Sequence, residues 1–139
     1  MLRRIVRDII EGRDLLELPA GASVCDAARA MRDWSVGAVL VTEEGRLTGI
    51  FTERDLVNRV VACDQDPKST PLSEVMTKDP DTISPEATAL EALHLMEDGG
   101  CRHLPVVADG RLVSIVSRRD FFASEKARLE TETGLWERL

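Results

Sequence analysis

LTGIFTERDL, Leu47 to Leu56, is an apolar run that ends in Thr-x-x-Asp. Sixty-five residues further on the chain reads LVSIVSRRDF, Leu112 to Phe121, with Ser117 and Asp120 where Thr52 and Asp55 stand. Extending that offset aligns Ala20–Asp55 with Pro85–Asp120 without a gap, and eleven of the 36 pairs are identical, among them Met31/Met96, Gly45/Gly110, Arg46/Arg111 and Asp55/Asp120. The chain is therefore an internal duplication whose period is too long for the usual solenoids.

Each copy has the same local logic. Val24, Ala27, Ala28, Met31 and Trp34 recur at helical spacing, and Ala89, Ala92, Leu93 and Met96 repeat the stripe, which predicts an amphipathic helix. GAVLV (37–41) and HLPVV (103–107) have the length and branching of a buried strand. EEG (43–45) and ADG (108–110) supply a hairpin turn, after which RLTGIF or RLVSIV forms a second strand running into Thr52 or Ser117 and another helix. Short leading strands are expected near 16–18 and 82–83, beside Pro19 and Pro85. The order is β-α-β-β-α, twice.

A unit of about 60 residues buries too little surface to stand comfortably alone. The expected fold is mixed α/β (α+β), with two repeats packed sheet to sheet about a pseudo-two-fold axis. The first repeat is assigned to 1–65, the second to 66–125, and a C-terminal helix and tail to 126–139. Leu72–Met76 leads the second copy as Ile5–Ile10 leads the first, and Leu135, Trp136 and Leu139 could pack on the module or on a second subunit.

Composition narrows the function. A net charge of −7 and only three Phe, two Trp and no Tyr leave neither the basic surface nor the stacking platforms of a nucleic-acid binder. The apolar runs are too short for a membrane span, and no secretory signal fits. Cys25, Cys63 and Cys101 form neither a disulfide framework nor a zinc spacing, so a reducing cytoplasmic setting is the expectation. The Cys101-Arg102-His103 triplet invites a metal or thiol-redox reading, but with two His in the chain and no ligand spacing around them a buried cysteine beside a strand is the better reading. No hydrolase, P-loop, zincin or dinucleotide motif occurs, so the chain is not expected to be an enzyme.

Thr-x-x-Asp by itself is a capping box, in which hydroxyl and carboxylate satisfy orphan backbone donors. Standing twice in the chain, it is either a helix cap used twice or a ligand site built twice, since a helix N-terminus already favours anions.

VGAVLVTEEGRLTGIFTERDL and CRHLPVVADGRLVSIVSRRDF, each after an Ala-rich helix, resemble a tandem of CBS domains, named after cystathionine β-synthase, over roughly residues 4–125. The resemblance implies a Bateman module: a regulatory pair that signals through adenine nucleotides (AMP, ADP, ATP or NAD) held in inter-repeat clefts and often assembles as a homodimer. No cofactor is required. It implies ligand contacts from Thr52, Arg54 and Asp55 in one cleft and from Ser117, Arg119 and Asp120 in the other. The middle strand of each repeat is expected to reach the opposite cleft. That would put Arg102 and His103 against Thr52–Asp55, with Gly37 and Ala38 against Ser117–Asp120, so the clefts should differ. Ser114 replaces the Gly49 of the first copy, a change that should narrow the turn. The partners expected are a nucleotide, a second copy and a regulated protein, with no nucleic acid or membrane. A ligand-free interaction or scaffold module, docking through Leu135, Trp136 and Leu139, is the alternative.

Overall fold

Glu44 and Gly45, like Asp109 and Gly110, take positive φ angles of 52° and 79°, and 52° and 76°. Two successive left-handed residues make the tight turn whose twist matches a hairpin. Each turn joins two antiparallel strands, β2 (Ala38–Glu43) to β3 (Arg46–Thr52) and β5 (His103–Ala108) to β6 (Arg111–Ser117). Both hairpins shift register at the same place, after Val41 and after Val106, so the duplication extends to the bulge.

The computed structural model describes residues 5–121, and the region expected as a C-terminal helix and tail, with Leu135, Trp136 and Leu139, lies outside them. The remaining elements are α1 (Val6–Ile10), β1 (Glu17–Leu18), α2 (Val24–Trp34), α3 (Glu53–Asp55), α4 (Leu72–Val75), β4 (Thr77–Lys78) and α5 (Ala89–Gly99). Ser23 caps α2 and Thr88 caps α5 with their hydroxyls, the latter in a full capping box with Glu91. Ser35 and Gly100 end those helices in the left-handed conformation, at φ 55° and 65°.

The helical stripes bury Val24, Ala27 and Met31 in one core, and Ala92 and Met96 in the other. Trp34, at the end of its stripe, is an exception: it is 46% exposed. After α3 the chain widens into a π-helical segment, Leu56–Val61, in which the Ala62 N–H donates to Val57 O at 2.9 Å. The β-branched Val57, Val60 and Val61 are poor α-helix formers there.

The sheets are less alike than the sequence suggests. In the first, β1 pairs parallel with β2, and β4 adds antiparallel to β3 at Gly49 and Ile50, giving four strands in the order β1-β2-β3-β4. In the second, the leading strand expected at 82–83 is reduced to a single parallel bridge from Ile83 to Val106, beside the two strands β5 and β6. Pro80 and Pro85 bracket that segment and limit its ladder.

The segments that lead the repeats are exchanged. Val6 and Ile10 of α1 lie in the core with Ile83, Leu104, Val106 and Val116 of the second repeat. Backbone bonds from Val6 N to Ala87 O and Arg7 N to Pro85 O, both 2.8 Å, fix α1 there. Leu72, Val75 and Met76 of and after α4 lie in the core with Val39, Val41 and Phe51 of the first. The two sheets meet through Ala38, Leu40 and Ile50, packed against Leu47, Leu112 and Ile115.

Candidate functional site

The two Thr/Ser-x-x-Asp segments fold alike and end up in different surroundings. In the first, the Thr52 N–H and hydroxyl both donate to Asp55 Oδ2, at 3.0 and 3.1 Å, and the Asp55 N–H donates to Thr52 Oγ1 at 3.3 Å. Arg59, one turn on, brings Nε to 3.6 Å from Asp55 Oδ1. Arg54 points across to the other repeat and donates to Gly100 O at 3.3 Å. This copy is a capping box closed on its own helix.

In the second, the Ser117 N–H and hydroxyl donate to Asp120 Oδ2 at 2.7 and 3.3 Å. Here the outer partner comes from far away in the chain. Arg13, between α1 and β1, forks onto the carboxylate with Nη1 to Oδ2 and Nη2 to Oδ1, both 2.7 Å, and Nη1 also donates to Ile115 O at 3.2 Å. Burial alone would push the Asp120 carboxyl up, but the Arg13 and Ser117 hydrogen bonds outweigh it and hold it below the ordinary carboxylate range. The hydrogen bond to Asp120 correspondingly raises Arg13.

Asp120 lies in a cavity of about 700 Å³ between the repeats. The second repeat contributes Arg102, His103, Ser117, Arg118, Arg119 and Asp120, and the first contributes Trp34, Gly37, Ala38 and Glu53. Leu16, Leu40 and Ile115 supply apolar wall. Four arginines, at 13, 102, 118 and 119, therefore share the space with three carboxylates, Asp14, Glu53 and Asp120. Such a site can hold an anion and a hydrogen-bond donor at once.

Local folding explains the arrangement. The residue just before each hairpin's first strand is tied to the cap: Glu53 N donates to Gly37 O at 3.0 Å, and Arg118 N donates to Arg102 O at 2.8 Å. Ladder register then puts Ala38 beside Thr52 and His103 beside Ser117. Arg102 and His103 thus line the cavity of Ser117 and Asp120, together with Gly37 and Ala38 and with Glu53 of the first cap. A Cβ built on Gly37 would lie 3.5 Å from His103 Nε2, so the two strand starts meet at the seam between the repeats. Thr52, Arg54 and Asp55 do not line this cavity.

His103 is held below the ordinary imidazole value. Burial is the main cause, reinforced by Arg102 and opposed by Glu53 and Asp120. The Cys101 thiol is pushed up, by burial first and by Asp81 second, the opposite of what a reactive thiolate needs. Among the described residues no cluster of His, Cys, Asp and Glu is arranged to hold a metal ion, and no helix is long and apolar enough to cross a membrane.

The sequence reading missed Arg13, Trp34 and Glu53. Only Trp34 left a signal, as an aromatic at the very end of an apolar stripe. Ser114, expected to narrow a turn, is instead buried in β6, and its hydroxyl lacks a hydrogen-bond partner among the described residues.

Comparison with known proteins gives this geometry its context. The CBS domain family model matches residues 6–62 and 72–125. CBS domain-containing protein CBSCBSPB1 of Arabidopsis thaliana is 35% identical over 116 residues, which are 83% of this chain and 21% of that protein, so the chain spans about a fifth of such a relative's length. The crystal structure of the CBS-domain containing protein ATU1752 from Agrobacterium tumefaciens superposes with a TM-score of 0.81 at 33% identity, covering 87% of this chain and 98% of that one. CBS domain protein PAE2072 from Pyrobaculum aerophilum, solved in complex with AMP, superposes with a TM-score of 0.77 at 26% identity over 84% and 88% of the two chains. With the duplicated fold, the family match and the solved relatives in agreement, the chain belongs to the CBS domain family, as a tandem pair of repeats.

Proposed function

We propose that the chain is a regulatory module, not an enzyme, and that it binds an adenine nucleotide in the cavity beside Asp120. The cavity carries this reading. Its volume falls in the roughly 300–1,000 Å³ span of small-molecule sites, and it unites a carboxylate acceptor, several guanidinium groups and the exposed indole of Trp34. Asp120 would take ribose hydroxyls, Ser117 and Arg119 or Arg102 the phosphate, and Trp34 the base. The AMP complex of the Pyrobaculum relative supports a nucleotide as ligand, with AMP, ADP, ATP and NAD all candidates.

The cavity walls come from both repeats, so an occupant would bind their relative packing as well as their side chains. That differential contact is what allows a ligand to shift a conformational equilibrium and signal to a partner protein. The reading includes a cytoplasmic homodimer, for which the exposed Val57 and Val61 offer apolar contact surface.

Isothermal calorimetry of ligand-free protein against the four nucleotides tests the proposal. At least one should bind, and Asp120→Ala should weaken it at least tenfold whereas Asp55→Ala, outside the cavity, should not. Absence of heat with all four would sink the reading; equal losses in both variants would move the site.

A further inference from the structure

Resting on that nucleotide reading, we propose that Arg13 sets the ligand class of the cavity: it admits a nucleoside that carries phosphate and holds out one that does not. An ionised carboxylate offers about four acceptor directions. On Asp120 the hydrogen bonds from Ser117 N, Ser117 Oγ, Arg13 Nη1 and Arg13 Nη2 use that number, three of them on Oδ2. A vicinal diol needs two of these directions, and two are freed only when the guanidinium leaves. The Ser117 bonds belong to the chain's own cap, so Arg13 is the partner that gives way.

Arg13 cannot go far. Its segment is anchored at one end by Val6 and Ile10 in the core of the second repeat and at the other by β1 in the sheet of the first. Once displaced, the guanidinium remains a cation within the same cavity. A neutral nucleoside takes its carboxylate and offers nothing in return, whereas a nucleotide brings phosphate oxygens that accept the released fork. The phosphate thus becomes the condition for binding and not merely an added contact. The latch is also confined to one repeat. The residue 65 positions after Arg13 is Lys78, and among the described residues the ion-pair partner of Asp55 is Arg59.

Titration calorimetry of the full chain and its Arg13→Gln variant, each with adenosine and AMP, tests the assignment. The wild type should prefer AMP, and Arg13→Gln should tighten adenosine and shrink the preference, on the order of tenfold, as expected for losing one charge-assisted contact. Arg13→Lys, which keeps the charge but loses the fork, should fall between. An unchanged preference in both variants, with wild-type AMP binding intact, overturns the role of Arg13 and leaves the nucleotide site standing. Failure of the wild type to bind either ligand overturns both. Salt provides a measurement that needs no variant. Raising it from about 0.1 to about 0.5 M screens the partly exposed Arg13–Asp120 pair, so adenosine affinity should rise while AMP affinity falls. An adenosine affinity that is flat or falling with salt overturns the proposal.

Discussion

His103 and Ser114 are each costly to bury, for different reasons. Burial holds His103 below its ordinary value despite Glu53 and Asp120 nearby, so folding favours the neutral imidazole. Between that lowered value and about 6.5 the unfolded chain binds the proton more readily, so the folded state loses stability as pH falls through this window and is insensitive to His103 above it. Thermal melts at pH 7.5 and about 5 should therefore differ more for the wild type than for His103→Gln; parallel losses would show that His103 is not the group responsible. Asp120 acts lower down. Its depressed carboxyl adds stability that is full above the ordinary carboxylate value and lost only as pH falls below it. Ser114 is 2% exposed, and its hydroxyl has no partner among the described residues. Since an orphaned buried hydroxyl costs on the order of 1–3 kcal/mol, Ser114→Ala should stabilise the protein by about 1 kcal/mol in urea denaturation. A loss instead would reveal a hydrogen bond made in solution.

At the scale of elements, two glycines of the first hairpin region, Gly37 just before β2 and Gly49 within β3, separate packing from site. A Cβ on Gly49 would meet Met76 Sδ at 2.5 Å and the Thr77 carbonyl oxygen at 2.9 Å, and that oxygen belongs to β4, which cannot withdraw without leaving the sheet. Gly49→Ala should cost about 1–3 kcal/mol, the usual cost of overpacking. A Cβ on Gly37 would meet the Glu53 side chain, which can swing aside. Gly37→Ala should melt near the wild type while narrowing the cavity and weakening nucleotide binding; comparable melting losses in the two variants would refute the distinction. These details show which features of the elements were legible. Hairpin turns, amphipathic stripes and caps are written within a few residues of one another, and so the hairpins at 38–52 and 103–117 could be read from their turn residues and branching. The edge strand β4 packs at Gly49 through residues nearly 30 positions away, and Arg13 meets Asp120 from 107 positions away. Neither contact leaves a periodic trace, so the most distinctive pair of the site had no signal in the sequence.

For the whole molecule, the exchange of leading segments decides how it unfolds. The second core contains Val6 and Ile10, which precede the first repeat's sheet, and the first core contains Leu72, Val75 and Met76, which precede the second's. Removing either repeat opens the other's core as well as the sheet-to-sheet contact of Leu40 and Ile50 with Leu112 and Ile115. Repeats that merely touched would melt separately; repeats that complete each other's interiors should melt together. The full chain should give one calorimetric transition whose calorimetric and van't Hoff enthalpies agree. Residues 66–125 expressed alone should show no cooperative melt, because Ile83, Val106 and Val116 would face water where α1 now covers them. Two resolved transitions, or a cooperatively folded 66–125 fragment, would contradict this. The same interlock bears on signalling: Arg13 lies on the strap that joins α1 in one core to β1 in the other sheet, so a ligand that displaces it acts on the connection between the repeats. Saturating AMP should then raise the single transition as a whole without splitting it, by an amount that grows with the logarithm of ligand concentration.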